Sequence, residues 1–118
     1  MKERAMALYT EGENCSRAIL RAASEQYKFP LSQELLDSCN AMSAGFCIGG
    51  MCSAIIAGVM VFGVLFPADE AKQKSLILFC NVQDRWNCMD CCKLSTKRDN
   101  CNDLIWEISA IIEEIIDD

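Results

Sequence analysis

The stretch GFCIGGMCSAIIAGVMVFGVLF, residues 45–66, carries no charged side chain and constrains the fold more than any other part of the chain. Its length raises the question of a membrane span, because about 18 or more apolar residues are the usual sign of one. Gly45, Gly49 and Gly50 lie in its first third, however, where each lowers helix stability. The helix predicted over residues 52–66 would be about 22 Å long, short of a roughly 30 Å hydrocarbon core. We therefore expect a buried central helix and no membrane span.

The composition indicates one helical domain. The chain has 118 residues, which suits a single domain over residues 1–118 with a core of its own. Ile, Leu, Met and Ala dominate its apolar content, and the short alternating runs typical of strands are missing. We predict an all-α, single-domain helical bundle of five to six helices around the buried apolar helix.

Charge and residue content exclude several classes of function. The net charge of −6 argues against nucleic-acid binding, because an acidic surface repels phosphates. The absence of histidine excludes His-based triads, Cys–His nucleophile pairs and mixed Cys/His zinc sites. The chain does not open with the basic and apolar regions of a secretory signal, so we expect a cytoplasmic protein with reduced thiols. Nine cysteines in that compartment point to redox chemistry or metal binding.

Capping residues and apolar spacing predict the helix boundaries. Asn14 is a good N-cap for a helix to about residue 28, and Ser32 can cap a weaker third helix. Asp99 or Asn100 is expected to cap the last helix, whose isoleucines recur at helical spacing. The predicted helices cover residues 1–10, 14–28, 32–42, 52–66, 68–88 and 100–118, with residues 89–98 as a loop.

Three cysteines follow helix-starting residues. Cys15, Cys52 and Cys101 are each expected in the first turn of a helix, where unpaired N–H groups and the helix dipole favour the thiolate. In an up-and-down bundle, alternate helices run parallel, so these three starts would gather at one end. The fifth helix would finish at that end with Cys88 and Cys91. We expect Cys52 to have the lowest thiol pKa.

The remaining cysteines carry weaker signals. Cys39, Cys47 and Cys80 are expected to be small buried apolar residues, a common setting for cysteine. Cys88 and Cys91 have C-x-x-C spacing, which occurs in zinc sites, iron–sulfur sites and dithiol redox centres alike.

The cysteine pattern resembles that of the C-GCAxxG-C-C family, a family assigned a redox role from its cysteines. Residues 12–20, GENCSRAIL, match its opening G-x-N-C-S-x-A-V-L, and residues 45–63 match its glycine-rich turn and apolar helix. Cys91, within CCKL, lies where the family has C-R-E-L, and Cys101 fits the final cysteine. The resemblance covers nearly the whole chain and implies thiol redox activity without naming a reaction.

The chain also departs from that pattern. Where the family has C-G-A-x-x-G, this chain has CSAIIA, so Ser53 and Ala57 replace two glycines. Cys88 and Cys92 are additional, and they leave the position of the third family cysteine open by a few residues.

Three hypotheses follow for the function. The preferred one is thiol–disulfide or electron-transfer chemistry by Cys15, Cys52, Cys91 and Cys101, acting with a redox partner protein whose identity is unknown. The second is a cysteine-only site for zinc or an iron–sulfur cluster built from the same four residues, with Cys88 as a substitute ligand. The third is a non-catalytic interaction module that forms a homodimer through the C-terminal helix.

Overall fold

The computed structural model describes residues 1–42, 45–94 and 101–118, apart from the side chains of residues 47, 92 and 93. Within these ranges all regular elements are helices. The one β-type pairing there is an isolated antiparallel bridge between Met51 and Asp90. The elements are α1 (Lys2–Thr10), α2 (Cys15–Tyr27), α3 (Gln33–Asp37), a π turn (Gly45–Gly49), α4 (Ser53–Leu65), α5 (Ala68–Trp86), α6 (Cys91–Leu94) and α7 (Asn102–Asp117). The predicted all-α, single-domain bundle is confirmed.

Side-chain caps begin two of the helices as predicted. The Asn14 side chain accepts a hydrogen bond from the backbone N–H of Arg17 at 2.9 Å, which satisfies one of the unpaired donors at the start of α2. Ser32 caps α3 in the same way, accepting from the N–H of Leu35 at 3.1 Å. α2 then ends at Lys28, which has a left-handed backbone.

Helix α4 packs against α2, α5 and α7 and supplies much of the core. The closest approach is at Gly58, where an added Cβ atom would lie 2.8 Å from Ile112 Cδ1 and 2.9 Å from Leu78 Cδ2. The helix is not enclosed on all sides, because Gly63 and Val64 face solvent. The prediction of a buried central helix is therefore not confirmed. No helix in the described ranges is both long and apolar enough to cross a bilayer.

The apolar stripe of α7 packs inside the chain, mainly against α1 and α5. Ile105, Ile108 and Ile112 are fully buried there. These side chains therefore already pack against other helices of the same molecule. Dimerisation through α7 stays a prediction.

Two predicted boundaries differ from the structure. The expected loop over residues 89–98 contains the short helix α6, which the sequence did not indicate because four residues show no periodicity. Cys101, and not Asp99 or Asn100, occupies the cap position of α7. Residues 99 and 100 themselves lie outside the described ranges.

Candidate functional site: a cavity lined by four cysteines

Four cysteines line one small cavity of about 20 Å³, large enough for one water molecule. They come from the starts of four different helices, α2, α4, α6 and α7, so distant parts of the chain meet here. The lining consists of Cys15, Cys52, Ser53, Ala54, Cys91, Leu94, Cys101, Leu104 and Ile105. The structure thus brings together all four cysteines that the sequence singled out as redox residues, while the roles predicted for them stay predictions.

The start of α2 positions Cys15. Besides capping the helix, the Asn14 side chain accepts a hydrogen bond from the Ser16 hydroxyl at 3.0 Å. Its amide nitrogen donates to the carbonyl oxygen of Cys39 at 3.3 Å. These bonds fix the residue before Cys15 to its own helix and to the segment after α3.

A short antiparallel bridge positions Cys52 and Cys91 relative to each other. The N–H of Cys52 donates to the carbonyl oxygen of Met89 at 2.8 Å, and the N–H of Cys91 donates to that of Gly50 at 2.6 Å. Met51 and Asp90 lie opposite each other between these two bonds. The start of α4 and the start of α6 are thereby joined directly.

Cys101 occupies the cap position of α7 and is a neighbour of Tyr9 in α1. The backbone and side chain of Cys101 both lie close enough to the Tyr9 phenol to shift its pKa. Burial raises the pKa of Tyr9, and the neighbouring thiols of Cys101 and Cys15 raise it further. Tyr9 is thus a polar neighbour of the cysteine site that the sequence analysis did not identify, because nothing in the local sequence links it to residues so far along the chain.

Burial governs the electrostatics of the Cys15 and Cys52 thiols. It raises the pKa of Cys15 to about 12, with further increases from the charges that Cys52 and Cys101 would carry as thiolates. Burial likewise raises the pKa of Cys52, although hydrogen bonds from the backbone N–H groups of Ala54 and Ile55 oppose it. The prediction of a lowered pKa at Cys52 is therefore wrong. The helix start does stabilise the thiolate, but loss of solvent outweighs it because Cys52 is only 4% exposed.

Ser53 is a second residue that the sequence analysis did not assign to the site. Its side chain lies beside the Cys15 thiol and lowers the pKa of Cys15, against the larger effect of burial. The sequence offered one signal, because Ser53 stands where the resembling family has glycine. The substitution therefore adds a polar contact to a cavity that is otherwise lined by sulfur and apolar groups.

The other described cysteines lie outside the cavity lining. Cys88 is half-buried and packs at the edge of the core, and Cys39 is buried as predicted. Cys80 is exposed on α5, so the prediction that it is buried is wrong; the preceding Phe79 packs against the core instead. The predictions for the side chains of Cys47 and Cys92 lie outside the described residues.

The described cysteines are neither cross-linked nor arranged as metal ligands. None of the seven cysteines whose side chains are described forms a disulfide. Over the same part of the chain, no three cysteine, aspartate or glutamate side chains lie where they could together hold a metal ion. The four cavity cysteines are thus not bonded to one another in the structure.

The fold and the site together define a class: a small helical bundle whose cysteines converge at one cavity from separate helix starts. Among protein families, the model described as "Putative redox-active protein (C_GCAxxG_C_C)" matches residues 13–115. The chain belongs to this family, which supports a general redox role. Comparison with curated proteins gave no match, and comparison with solved structures gave none either.

Proposed function

We propose that the protein is a thiol-based redox protein whose cavity cysteines exchange electrons with a partner by thiol–disulfide chemistry. The observation that carries this proposal is the convergence of Cys15, Cys52, Cys91 and Cys101 on one cavity of about 20 Å³. In each exchange, two thiols would lose two protons and two electrons and form one disulfide. The electrons would reduce a disulfide of the partner to two thiols, so atoms and charges balance.

The environment of the thiols supports storage of the reduced form. Two of the four have a raised pKa, so they stay protonated near neutral pH and are poor nucleophiles in the closed cavity. They are thereby protected from unspecific oxidation until a partner or a local opening exposes them. Reduced cysteines of this kind suit a reducing compartment, and we place the protein in the cytoplasm.

Redox titration tests the proposal. The protein is equilibrated in buffers of graded dithiol/disulfide ratio, the thiols are blocked with an alkylating reagent, and the modified residues are identified by mass spectrometry. We expect reversible oxidation confined to the four cavity cysteines, with the two-electron slope of about 30 mV per tenfold change in the ratio. Cys80→Ser is the matched control, because Cys80 is a described cysteine exposed outside the cavity, and it should leave the titration unchanged.

Failure would be equally clear. If the four cavity cysteines stay reduced across the accessible range of potentials, or oxidise no more readily than Cys80, the proposed function is wrong. If serine at all four positions also leaves the protein's role in the cell intact, the result favours the non-catalytic interaction module.

The metal-site alternative rests on the same four sulfur donors. Four cysteine thiolates suit tetrahedral zinc or an iron–sulfur cluster, and their shared cavity is the observation in its favour. Against it, no three of the described side chains are placed to hold a metal ion together, and the suggested substitute ligand Cys88 does not line the cavity. Metal analysis and the visible spectrum of anaerobically purified protein separate the two. Stoichiometric zinc or a cluster spectrum, lost on replacing Cys52 by serine, would establish the alternative.

A further inference from the structure

The bridge between the starts of α4 and α6 places Cys52 and Cys91 on one face. Side chains alternate in direction along extended backbone, so the four residues that flank the Met51–Asp90 pair project to the same side. Cys52 lies opposite Met89 and Cys91 lies opposite Gly50, which makes the two cysteines diagonal neighbours. Diagonal neighbours have Cα atoms roughly 7–8 Å apart, just beyond the roughly 7 Å within which two cysteines can form a disulfide without backbone movement. A small displacement of α6 toward α4 would therefore allow them to join.

The two thiols differ in access to solvent. Cys52 is only 4% exposed, whereas Cys91 is partly exposed. Cys91 is also the first residue of a helix only four residues long, whereas Cys15 and Cys101 stand at the starts of helices of 13 and 16 residues. A macromolecular disulfide can therefore reach the Cys91 sulfur before it reaches the Cys52 sulfur.

An exposed apolar pair, Phe46 and Ile48, belongs to a turn that contacts the helix of Cys91. Both belong to the π turn, which packs against α6 so closely that a Cβ atom at Gly45 would be 2.9 Å from Cys91 Cβ. Phe46 is 46% exposed and Ile48 is 85% exposed. Phe46 also has a φ angle of +63°, a conformation that bulky residues seldom adopt. The turn that carries these two exposed apolar side chains thus contacts the short helix that begins with Cys91.

The apolar pair favours a peptide substrate over a small, strongly polar one. A peptide segment with apolar side chains beside its disulfide would bury Phe46 and Ile48, whereas oxidised glutathione has no large apolar side chain to cover them.

Building on the proposed function, we infer that Cys91 attacks a disulfide in a protein segment with apolar flanking residues, and that Cys52 resolves the mixed disulfide. In the first step the Cys91 thiolate forms a bond to one partner sulfur, the partner S–S bond breaks, and the released sulfur takes up a proton. In the second step the Cys52 thiolate attacks the Cys91 sulfur, forms the Cys52–Cys91 disulfide and releases the second partner thiol. The partner disulfide is reduced by two electrons, and the cysteine pair is oxidised by two.

Trapping experiments test the assignment of the pair. The reduced full chain is mixed with the disulfide-linked dimer of a neutral peptide that has Leu and Phe on either side of its cysteine. We expect the Cys52→Ser variant to accumulate the peptide on Cys91, and the Cys91→Ser variant to exchange at least about tenfold more slowly than the unmodified chain. Disulfide mapping of the unmodified chain after the same reaction should give a Cys52–Cys91 link, which keeps the test valid if a variant folds poorly.

The outcomes separate this inference from the function on which it rests. Peptide trapped on Cys15 or Cys101, or a mapped disulfide between other residues, would overturn the pair while leaving thiol redox activity in place. If the four cavity cysteines neither exchange with the peptide nor oxidise reversibly in the titration, both proposals fail together.

The apolar pair is tested with a matched substitution. Ile48→Asn should slow exchange with the apolar peptide disulfide by about tenfold, which corresponds to about 1.4 kcal/mol of lost contact, and should leave the slow reaction with oxidised glutathione little changed. Leu76→Asn is the control, because Leu76 is 61% exposed on α5 and does not line the cysteine cavity. Equal rates with the peptide and with glutathione, or equal effects of the two substitutions, would show that the pair does not select the substrate.

Discussion

A methyl group added at Gly58 should destabilise the fold, whereas the same addition at Gly63 should stabilise it. Both glycines lie in α4, so replacing either with alanine raises helix propensity by about 1 kcal/mol. At Gly63 nothing lies within 4 Å of the added Cβ atom. At Gly58 the same atom would be 2.8 Å from Ile112 Cδ1 and 2.9 Å from Leu78 Cδ2, closer than real Cβ contacts.

The cost at Gly58 is large because the two neighbours have little room to move. Ile112 and Leu78 are both fully buried, on α7 and α5 respectively, so neither side chain can turn into solvent. Forcing extra atoms into a packed core costs about 1–3 kcal/mol. The gain in helix propensity offsets part of this steric cost, so Gly58→Ala should lower the free energy of unfolding by about 1 kcal/mol. Gly63→Ala has no steric cost and should raise the free energy of unfolding by about 0.5–1 kcal/mol.

Urea unfolding of the two variants measures this difference directly. The reduced proteins are unfolded in the presence of a thiol reductant, and the free energies of unfolding are obtained from the midpoints and slopes. The two variants should differ by about 1–3 kcal/mol, since the propensity gain cancels and only the steric cost remains. If Gly58→Ala is as stable as Gly63→Ala, the close contact among α4, α5 and α7 is wrong as described, and the packing of the core must be reconsidered.

Three further predictions concern a helix cap, the core and the thiols. Asn14→Ala should lower the free energy of unfolding by about 1–2 kcal/mol. The loss should exceed that of Ser32→Ala at the exposed cap of α3, because Asn14 also donates a hydrogen bond to the Cys39 carbonyl oxygen; equal losses in urea unfolding would contradict this. Phe62→Ala should cost about 3–5 kcal/mol by the same assay, because Phe62 is fully buried, and a loss below about 1 kcal/mol would place it outside the core. Between pH 9 and 12 the free energy of unfolding of the reduced protein should fall by about 1.4 kcal/mol per pH unit through Cys15 alone, because its thiol ionises near pH 9 when unfolded and near pH 12 when folded. Cys15→Ser should flatten this decline, and an unchanged dependence of stability on pH would refute the prediction.

Local signals in the sequence predicted the regular helices well. The start of α2 follows from Asn14, whose side chain can satisfy an N–H group that the helix itself leaves unpaired. The start of α4 follows from the glycines before it and the long apolar run after it. Such signals act over a few residues, so they can be recognised without knowledge of the fold.

The irregular segments could not be predicted, because tertiary contacts determine them. The π turn and α6 are held by hydrogen bonds between residues that lie far apart in the chain, such as Gly50 and Cys91. The Met51–Asp90 bridge involves one residue from each segment and so leaves no periodic pattern in the sequence. Nothing in the sequence CCKL of α6 distinguishes a short helix from a loop. The sequence could therefore predict the meeting of the two segments only from an assumed topology.

The replacement of glycine by Ser53 and Ala57 has a structural explanation. Both side chains are buried in α4, Ser53 at 2% and Ala57 at 0% exposure, so the helix is packed closely without glycine at either position. The tight approach to neighbouring helices lies one residue further along, at Gly58. The sequence alone does not show which glycine of α4 is needed for packing, because that depends on the side chains that face it from α5 and α7.

The thiol pKa values show why the presence of a motif does not predict reactivity. A helix start favours thiolate in any protein, and hydrogen bonds from backbone N–H groups do reach Cys52. Burial acts in the opposite direction and is larger, but its size depends on how residues from α2, α6 and α7 close the cavity. A buried thiol with a raised pKa reacts slowly at neutral pH even when its helix position is favourable. The proposed redox site therefore needs one more accessible sulfur to begin the reaction, and we infer that Cys91, which is partly exposed at the start of its short helix, provides it.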